Sequence, residues 1–194
     1  MITELQRQQR FAGVGSSDIP ILLGEWAKYG KDADWLFLAK TKQIEEEPPS
    51  EAMEWGVRLE PIIRGVVARQ EGWMVADDAQ TYTMAAPRDW AYCHPDGRIE
   101  LHPTRRGRGV LEIKNSRYYS EKKGPSDAHL AQLHWQIGVT RADYGVLAVL
   151  EAGQKLHLTE YEFDQGLFDQ LIRVAHTFWQ RVERYKQEVV PCKN

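Results

Sequence analysis

Apolar residues along this chain follow two different spacings. From about Ala52 to Gln70 they recur every three to four positions (Trp55, Leu59, Ile62, Ile63, Val66, Val67). That predicts a long helix with this arc facing the core, ended by Gly72. A second run at the same spacing, Leu167, Phe168, Leu171, Ile172, Ala175, Phe178, Trp179 and Val182, predicts a closing amphipathic helix capped by Asp164. Shorter pieces with strand character lie between them: Trp73–Val75, Thr81–Ala85, Trp90–Cys93, Arg98–Leu101 and Val110–Lys114. Turn signals at Pro95-Asp96-Gly97 and Gly107-Arg108-Gly109 separate the later ones. Ser126–Val139 reads as a helix, Tyr144–Leu150 as a buried strand and the more polar Leu156–Phe163 as an edge strand. Short helices are expected from Ile19 and over Ala33–Thr41, and the acidic, proline-broken stretch 45–51 as a loop. The order helix, strands, helix, strands, helix predicts an α/β fold with a mixed β-sheet flanked by helices.

Composition narrows the function classes. A chain of 194 residues suits one domain with a substantial core. No apolar run approaches the ~18–20 residues that span a bilayer, so no membrane role is expected. The polar start, residues 1–10, has no apolar stretch of the kind a signal peptide carries. Two distant cysteines, Cys93 and Cys192, give neither a disulfide framework nor a zinc or iron–sulfur pattern. They suit a reducing cytoplasm and exclude an iron–sulfur-stapled helicase nuclease. With a net charge of −3, nucleic-acid binding would have to rest on local basic patches.

One strand raises a chemical question. In Val110–Lys114, Leu111 and Ile113 face one side while Glu112 and Lys114 share the other. Taken alone, such a pair is a solvated face, and Pro95-Asp96-Gly97 is a common turn. Together they form a pattern of Asp96, then Glu112-Ile113-Lys114. Two carboxylates brought together repel unless a cation neutralises them, and oxygen-rich acidic sites suit Mg²⁺ or Mn²⁺. A lysine beside them can hold a water and offset charge developing on a phosphate. Glu60 lies at the border of the apolar arc of the long helix, beside Gly56, Ile63 and Val67, where the alternative is a snorkelling surface glutamate. Residues 13–20, GVGSSDIP, read as a glycine loop feeding a helix. Ser17 or Asp18 is able to cap it, an arrangement that also holds phosphate. Basic residues gather at Arg105, Arg106, Arg108, Arg117, Lys122 and Lys123. A solvated turn explains any one of them as well as a DNA contact does.

Asp96, the Glu112-Ile113-Lys114 triplet and Glu60 resemble the PD-(D/E)xK nuclease signature. Five words occur in order: 12-AGVGSSDIPILLG-24, 55-WGVRLEP-61, 94-HPDG-97, 111-LEIKNS-116 and 131-AQLHWQIGVT-140. They resemble the phage-lambda exonuclease family, also called the YqaJ-like viral recombinase or alkaline exonuclease family, over about Arg10 to Thr140.

The resemblance implies a single nuclease domain over 1–194, of restriction-endonuclease-like fold. It implies that Asp96, Glu112, the Ile113 carbonyl and Glu60 hold one or two Mg²⁺ (or Mn²⁺) ions. Lys114 would orient and activate the attacking water, and Gln132 would support Lys114 and that water, with Gln136 one turn further on as the weaker candidate. Arg10 and Ser17, with Ser16 adjacent, would hold a 5′-phosphate. Met53 would be an apolar wedge at the duplex end, with Arg105, Arg106, Arg108 and Arg117 on the DNA path. The implied activity is 5′-to-3′ digestion of linear double-stranded DNA to mononucleotides and a 3′ single strand. The implied setting is phage-type homologous recombination by a phage- or prophage-encoded homotrimer in a bacterial cytoplasm, beside a single-strand annealing protein. The alternatives are a structure-specific or restriction-type endonuclease on the same core and a non-catalytic DNA-binding protein.

Overall fold

The computed structural model describes residues 4–45, 48–77, 81–119 and 124–189, with side chains from residue 8 onward. The elements in chain order are α1 (Glu4–Ala12), α2 (Ile19–Leu22), α3 (Ala33–Lys40), α4 (Glu51–Glu71), β1 (Met74–Ala76), β2 (Tyr82–Thr83), β3 (Tyr92–Cys93), β4 (Gly97–Leu101), β5 (Gly109–Ser116), α5 (Asp127–Thr140), β6 (Tyr144–Glu151), β7 (Lys155–Glu162) and α6 (Gln165–Val189). Five strands form a mixed sheet in the order β1-β4-β5-β6-β7, and β2 pairs with β3 apart from it. Only β5 and β6 run parallel, from Gly109 opposite Tyr144 to Ser116 opposite Glu151, and α5 supplies the crossover between them.

The sheet is covered on both faces. Leu111 and Ile113 of β5 pack with Ile63 and Val67 of α4 on one side. On the other, Val110 packs with Leu133 and Ile137 of α5. A further core, holding Ile19, Leu36, Trp135, Phe168, Ala175 and Trp179, joins α5 to α2, α3 and α6. The predicted apolar arc of α6 is the buried one, and Asp164 caps it by accepting from the Leu167 N–H at 2.9 Å. Ser50 caps α4 and Gly72 ends it in the left-handed region at φ 67°.

Three expectations change. The polar segment before Ala12 forms α1, whose last carbonyls are satisfied from a distance: Lys40 Nζ donates to Arg10 O and Lys186 Nζ to Phe11 O, each at 2.6 Å. The apolar arc of α4 does not all face the core. Ile63 and Val67 are buried, whereas Trp55 is 48% and Ile62 60% exposed: Trp55 lies in the exposed first turns of the helix, and Ile62 is turned about 100° away from Ile63, at the edge of the arc. The expected strand Thr81–Ala85 contracts to Tyr82–Thr83, limited by a partner of only two residues. Among the described residues no helix is long and apolar enough to cross a membrane. Cys93 is buried in the core, and Cys192 lies outside the described residues.

Candidate active site

The site forms where β4 parts from β5. Their ladder pairs Ile99 with Gly109, Arg98 with Val110 and Gly97 with Leu111. One residue further, the Asp96 N–H still donates to Leu111 O at 3.1 Å. There Pro95, which has no N–H, interrupts the strand pattern. The next ladder donor, the Ile113 N–H, is taken by the Asp96 side chain, with Oδ2 accepting at 2.7 Å. Asp96 is thus fixed at the fork by main-chain geometry. Arg64, one helical turn beyond Glu60, locks the same turn by donating to Asp96 O at 2.6 Å while pairing with Asp77 at 2.9 Å.

Glu112 is the other fixed point. It is 2% exposed, and a carboxylate so placed must be fully hydrogen-bonded. Oε1 accepts from Lys114 Nζ in a short ion pair and from Gln132 Nε2 at 2.6 Å. Oε2 accepts from Gln136 Nε2 at 2.6 Å. Both glutamines come from the same face of α5, four residues apart. Gln132 therefore serves Glu112 directly, where the resemblance had it supporting Lys114. Gln136, the weaker candidate, is fully buried and reaches Ser16 Oγ at 3.5 Å, while its Oε1 has no hydrogen-bond partner.

The charges do not balance. Burial, followed by the Glu112 charge, raises the Asp96 carboxyl well above the usual aspartate range. The same two causes, in the same order, raise Glu60. Burial pulls the Lys114 ammonium down, but Glu112, Asp96 and Glu60 outweigh it and hold its pKa above the ordinary lysine value. These three carboxylates hold Lys114 as a charged donor in this arrangement. His129, at the start of α5, is pushed down to about 4 by burial and then by the Lys114 charge, and so is neutral.

Three carboxylates that feel one another, served by one ammonium, make an oxygen-rich set short of positive charge. That chemistry fits a hard divalent cation. Among the described residues, however, no group of three His, Cys, Asp or Glu side chains converges closely enough to hold a metal as it stands. At Glu112 both carboxylate oxygens face N–H donors, from Lys114, Gln132 and Gln136.

The glycine loop packs against β3. Val14 N donates to Trp90 O at 2.7 Å and Tyr92 N to Val14 O at 3.0 Å. A Cβ on Gly13 would lie 2.0 Å from Trp90 O, and one on Gly15 2.8 Å from the Tyr92 ring, so neither position accepts a side chain. The expected helix start is smaller than predicted: a 3₁₀ turn over Ser16–Asp18 followed by the four residues of α2. Ser17 is exposed and does not cap, and Ser16 is buried. Asp18 takes the loop's N–H instead, accepting from Gly15 at 2.8 Å and pairing with the buried Lys40 at 2.6 Å. Lys40 also holds Arg10 O, so one buried ammonium ties the Arg10 end of α1 to the serine turn.

The basic residues divide. Arg105 is held by Glu160 at 2.6 Å and by a short bond to Glu162, over the Tyr144 ring. Arg106 and Arg108 are exposed in the β4–β5 turn, with Arg108 N donating to Asp143 at 2.8 Å. Arg108 precedes Glu112 by four residues, about 13 Å along the strand, so this turn lies at the far end of β5. Arg117 is exposed just beyond the Lys114 end. Met53 is 58% exposed in the first turn of α4. Lys122 and Lys123 lie outside the described residues. Sequence reading missed Arg64 and Lys40. The first carried a readable signal, its place four residues after Glu60 on one helix face. The second carried none, because its partners come from α1 and the loop.

Residues 7–143 match the model of the YqaJ-like viral recombinase domain. Among solved structures, the alkaline exonuclease LHK-Exo from Laribacter hongkongensis is similar over 96% of both chains, with TM-score 0.74 and 17% identity. LHK-Exo in complex with dAMP gives TM-score 0.75 and 16% identity over 96% of both chains. A phage-related exonuclease from Haemophilus somnus 129PT gives TM-score 0.68 and 11% identity over 92% of this chain and 96% of that one. At these identities the likeness is one of fold. None of the curated proteins compared matches the chain.

Proposed function

Because the chain belongs to the YqaJ-like viral recombinase family, we propose that it is a Mg²⁺- or Mn²⁺-dependent exodeoxyribonuclease acting as one nuclease domain over 1–194. It digests linear double-stranded DNA from the 5′ end, releasing mononucleotides and leaving a 3′ strand for phage-type recombination. The observation that carries this reading is the fork at β4 and β5. There a buried Glu112 pairs with the Lys114 ammonium, and a main-chain-locked Asp96 feels both of those charges and that of Glu60. That LHK-Exo is solved with dAMP accords with a mononucleotide product.

Glu60, Asp96, Glu112 and the Ile113 carbonyl would hold the cation, which when bound supplies Lewis-acid polarisation of the phosphodiester and of water. Lys114, as a charged donor, orients the water and offsets negative charge gathering on phosphate oxygen. Gln132 and Gln136 fix the Glu112 carboxylate. Asp96, locked by Arg64 and the Ile113 N–H, is fixed before substrate arrives. Arg10, Ser16 and Ser17 receive the 5′-phosphate, Met53 wedges the duplex end, and Arg117 contacts the strand leaving the site. Arg106 and Arg108 meet duplex further away. Arg105, engaged by two carboxylates, has the weakest claim of the basic set. A homotrimeric ring, an annealing-protein partner and the cytoplasm of a bacterial host complete the proposal.

The test is Mg²⁺-dependent digestion of end-labelled linear duplex with 5′-phosphate or 5′-hydroxyl ends, beside a covalently closed circle. Loss of label as mononucleotide, faster from 5′-phosphate ends, is expected. Cutting of the circle would replace this reading with the endonuclease. No digestion of any substrate would leave the non-catalytic DNA-binding protein.

A further inference from the structure

Helix α4 carries two interior glycines, Gly56 and Gly65, although glycine is less stable than alanine inside a helix. Neither is required by packing: a Cβ built on either would meet no atom within 4 Å. The two differ in where they point. Gly56 precedes Glu60 by one turn, Ile63 by two and Val67 by three, so it continues the face that packs on β5. Among Glu51–Arg58 it is the single residue that is not exposed. It therefore faces inward over open space, on the line that leads to Glu60. Gly65 lies nine residues on, about two and a half turns round, on the opposite side of the helix.

We infer that Gly56 is the point of closest approach between α4 and the sugar–phosphate backbone of the strand entering the site, its missing side chain being a clearance for that strand. The inference rests on the nuclease reading above and adds a residue to it. A bare helix turn beside Glu60 lets a polynucleotide backbone lie against α4 within van der Waals contact. Any side chain there projects into the same space without disturbing the protein's own core. Gly56 touches no reacting group, so its role is to position the strand.

The test is a graded series, Gly56→Ala, Gly56→Leu and Gly56→Phe, beside the same three changes at Gly65. Leucine and alanine are better helix formers than glycine, so melting temperatures stay level or rise at both positions. At Gly56, digestion of linear duplex falls stepwise with side-chain volume, by roughly tenfold or more at leucine and phenylalanine. The loss appears in KM and in DNA binding by fluorescence anisotropy. At Gly65, half-buried like Gly56 but on the opposite side of the helix, both stay within about twofold of the parent, because open space there leads away from Glu60. Equal behaviour at the two positions would overturn the inference, as would a Gly56 loss that tracks a fall in melting temperature. An unsubstituted chain inert on every DNA would overturn the nuclease reading first, and the inference with it.

Discussion

The two ends of strand β5 hold similar ingredients in different proportions. At the Gly109 end, Arg105 sits between Glu160 and Glu162 near the surface, over the Tyr144 ring. Each charge there has a partner or water. At the other end, Asp96, Glu112 and Glu60 meet the Lys114 ammonium, and Asp96 and Glu60 are held above their ordinary carboxyl range by burial and by Glu112. A paired, solvated network is what folding alone produces, and it contributes little. A buried surplus of one sign opposes folding and persists where something outside the chain completes it. The contrast sets one end of the strand apart as a paired network and supports the proposed site at the other.

The comparison breaks most sharply at Asp96. Asp96→Asn keeps an oxygen for the Ile113 N–H and removes the charge. Catalysis that needs this carboxylate falls by about 10³-fold or more, several kcal/mol of lost transition-state stabilisation. Stability moves the opposite way. An acid whose folded pKa is raised keeps its proton longer in the folded state, so it costs stability as pH rises above the unfolded carboxyl value. The Asn variant therefore melts above the parent at neutral pH without divalent cation. The gain shrinks as pH falls towards about 4, the unfolded aspartate range. Scanning calorimetry against pH reads both signs, and added Mg²⁺ closes the gap by stabilising the parent more.

Lys114→Met also ends turnover, by about 10²–10³-fold, but destabilises. The lysine pKa is raised in the folded state, so its stabilisation is present below the unfolded lysine value and is lost only as pH rises through the folded one. Without it, Glu112 stays buried with two amides and no cation, a loss of about 1–3 kcal/mol at neutral pH. Opposite melting shifts for two inactive variants of one site are the signature of surplus negative charge. Shifts of the same sign would return this end of β5 to the structural class.

Much of this was legible before any coordinates. The apolar spacing of α6, the glycine stop of α4 and the alternation in β5 that sets Glu112 and Lys114 on one face are local features. The sequence states them because periods of 3.6 and 2 govern them. What stayed hidden depends on partners distant in the chain. The carbonyls ending α1 are satisfied by Lys40 and Lys186, so nothing in 1–12 announced a helix. The wheel of α4 could show neither where the covered part of the helix begins nor how wide its buried arc is, so Trp55 and Ile62 were assigned to a core they never reach. At the site the acidic residues and the lysine were readable from the resemblance, but the fork that makes Asp96 a ladder acceptor was not. That contact exists only once Gly97 is registered on Leu111.

A smaller effect sharpens the contrast between the two α5 glutamines. Gln136→Leu removes the donor on Glu112 Oε2 together with a buried oxygen that has no partner. Losing the amide that orients the carboxylate lowers activity by about 10–100-fold, the usual cost of an outer-shell partner. Because an unpartnered polar atom leaves the core with it, the melting temperature changes less than for Lys114→Met. Activity and melting falling in proportion would instead make Gln136 a packing residue.

The smallest effect belongs to the balanced end. Arg105→Ala removes a surface pair with two carboxylates, worth about 0–1 kcal/mol, and a contact with the buried Tyr144 ring, worth roughly 0.5–2 kcal/mol. Glu160 and Glu162 are solvent-accessible, so no buried surplus is left behind. Digestion of linear duplex in low salt then stays within a few-fold of the parent, and the slope of DNA affinity against salt is unchanged. A phosphate-contacting arginine would instead reduce that slope by about one. A flatter slope would move Arg105 from the sheet's own ion-pair network to the DNA path, and the two ends of β5 would no longer divide by function.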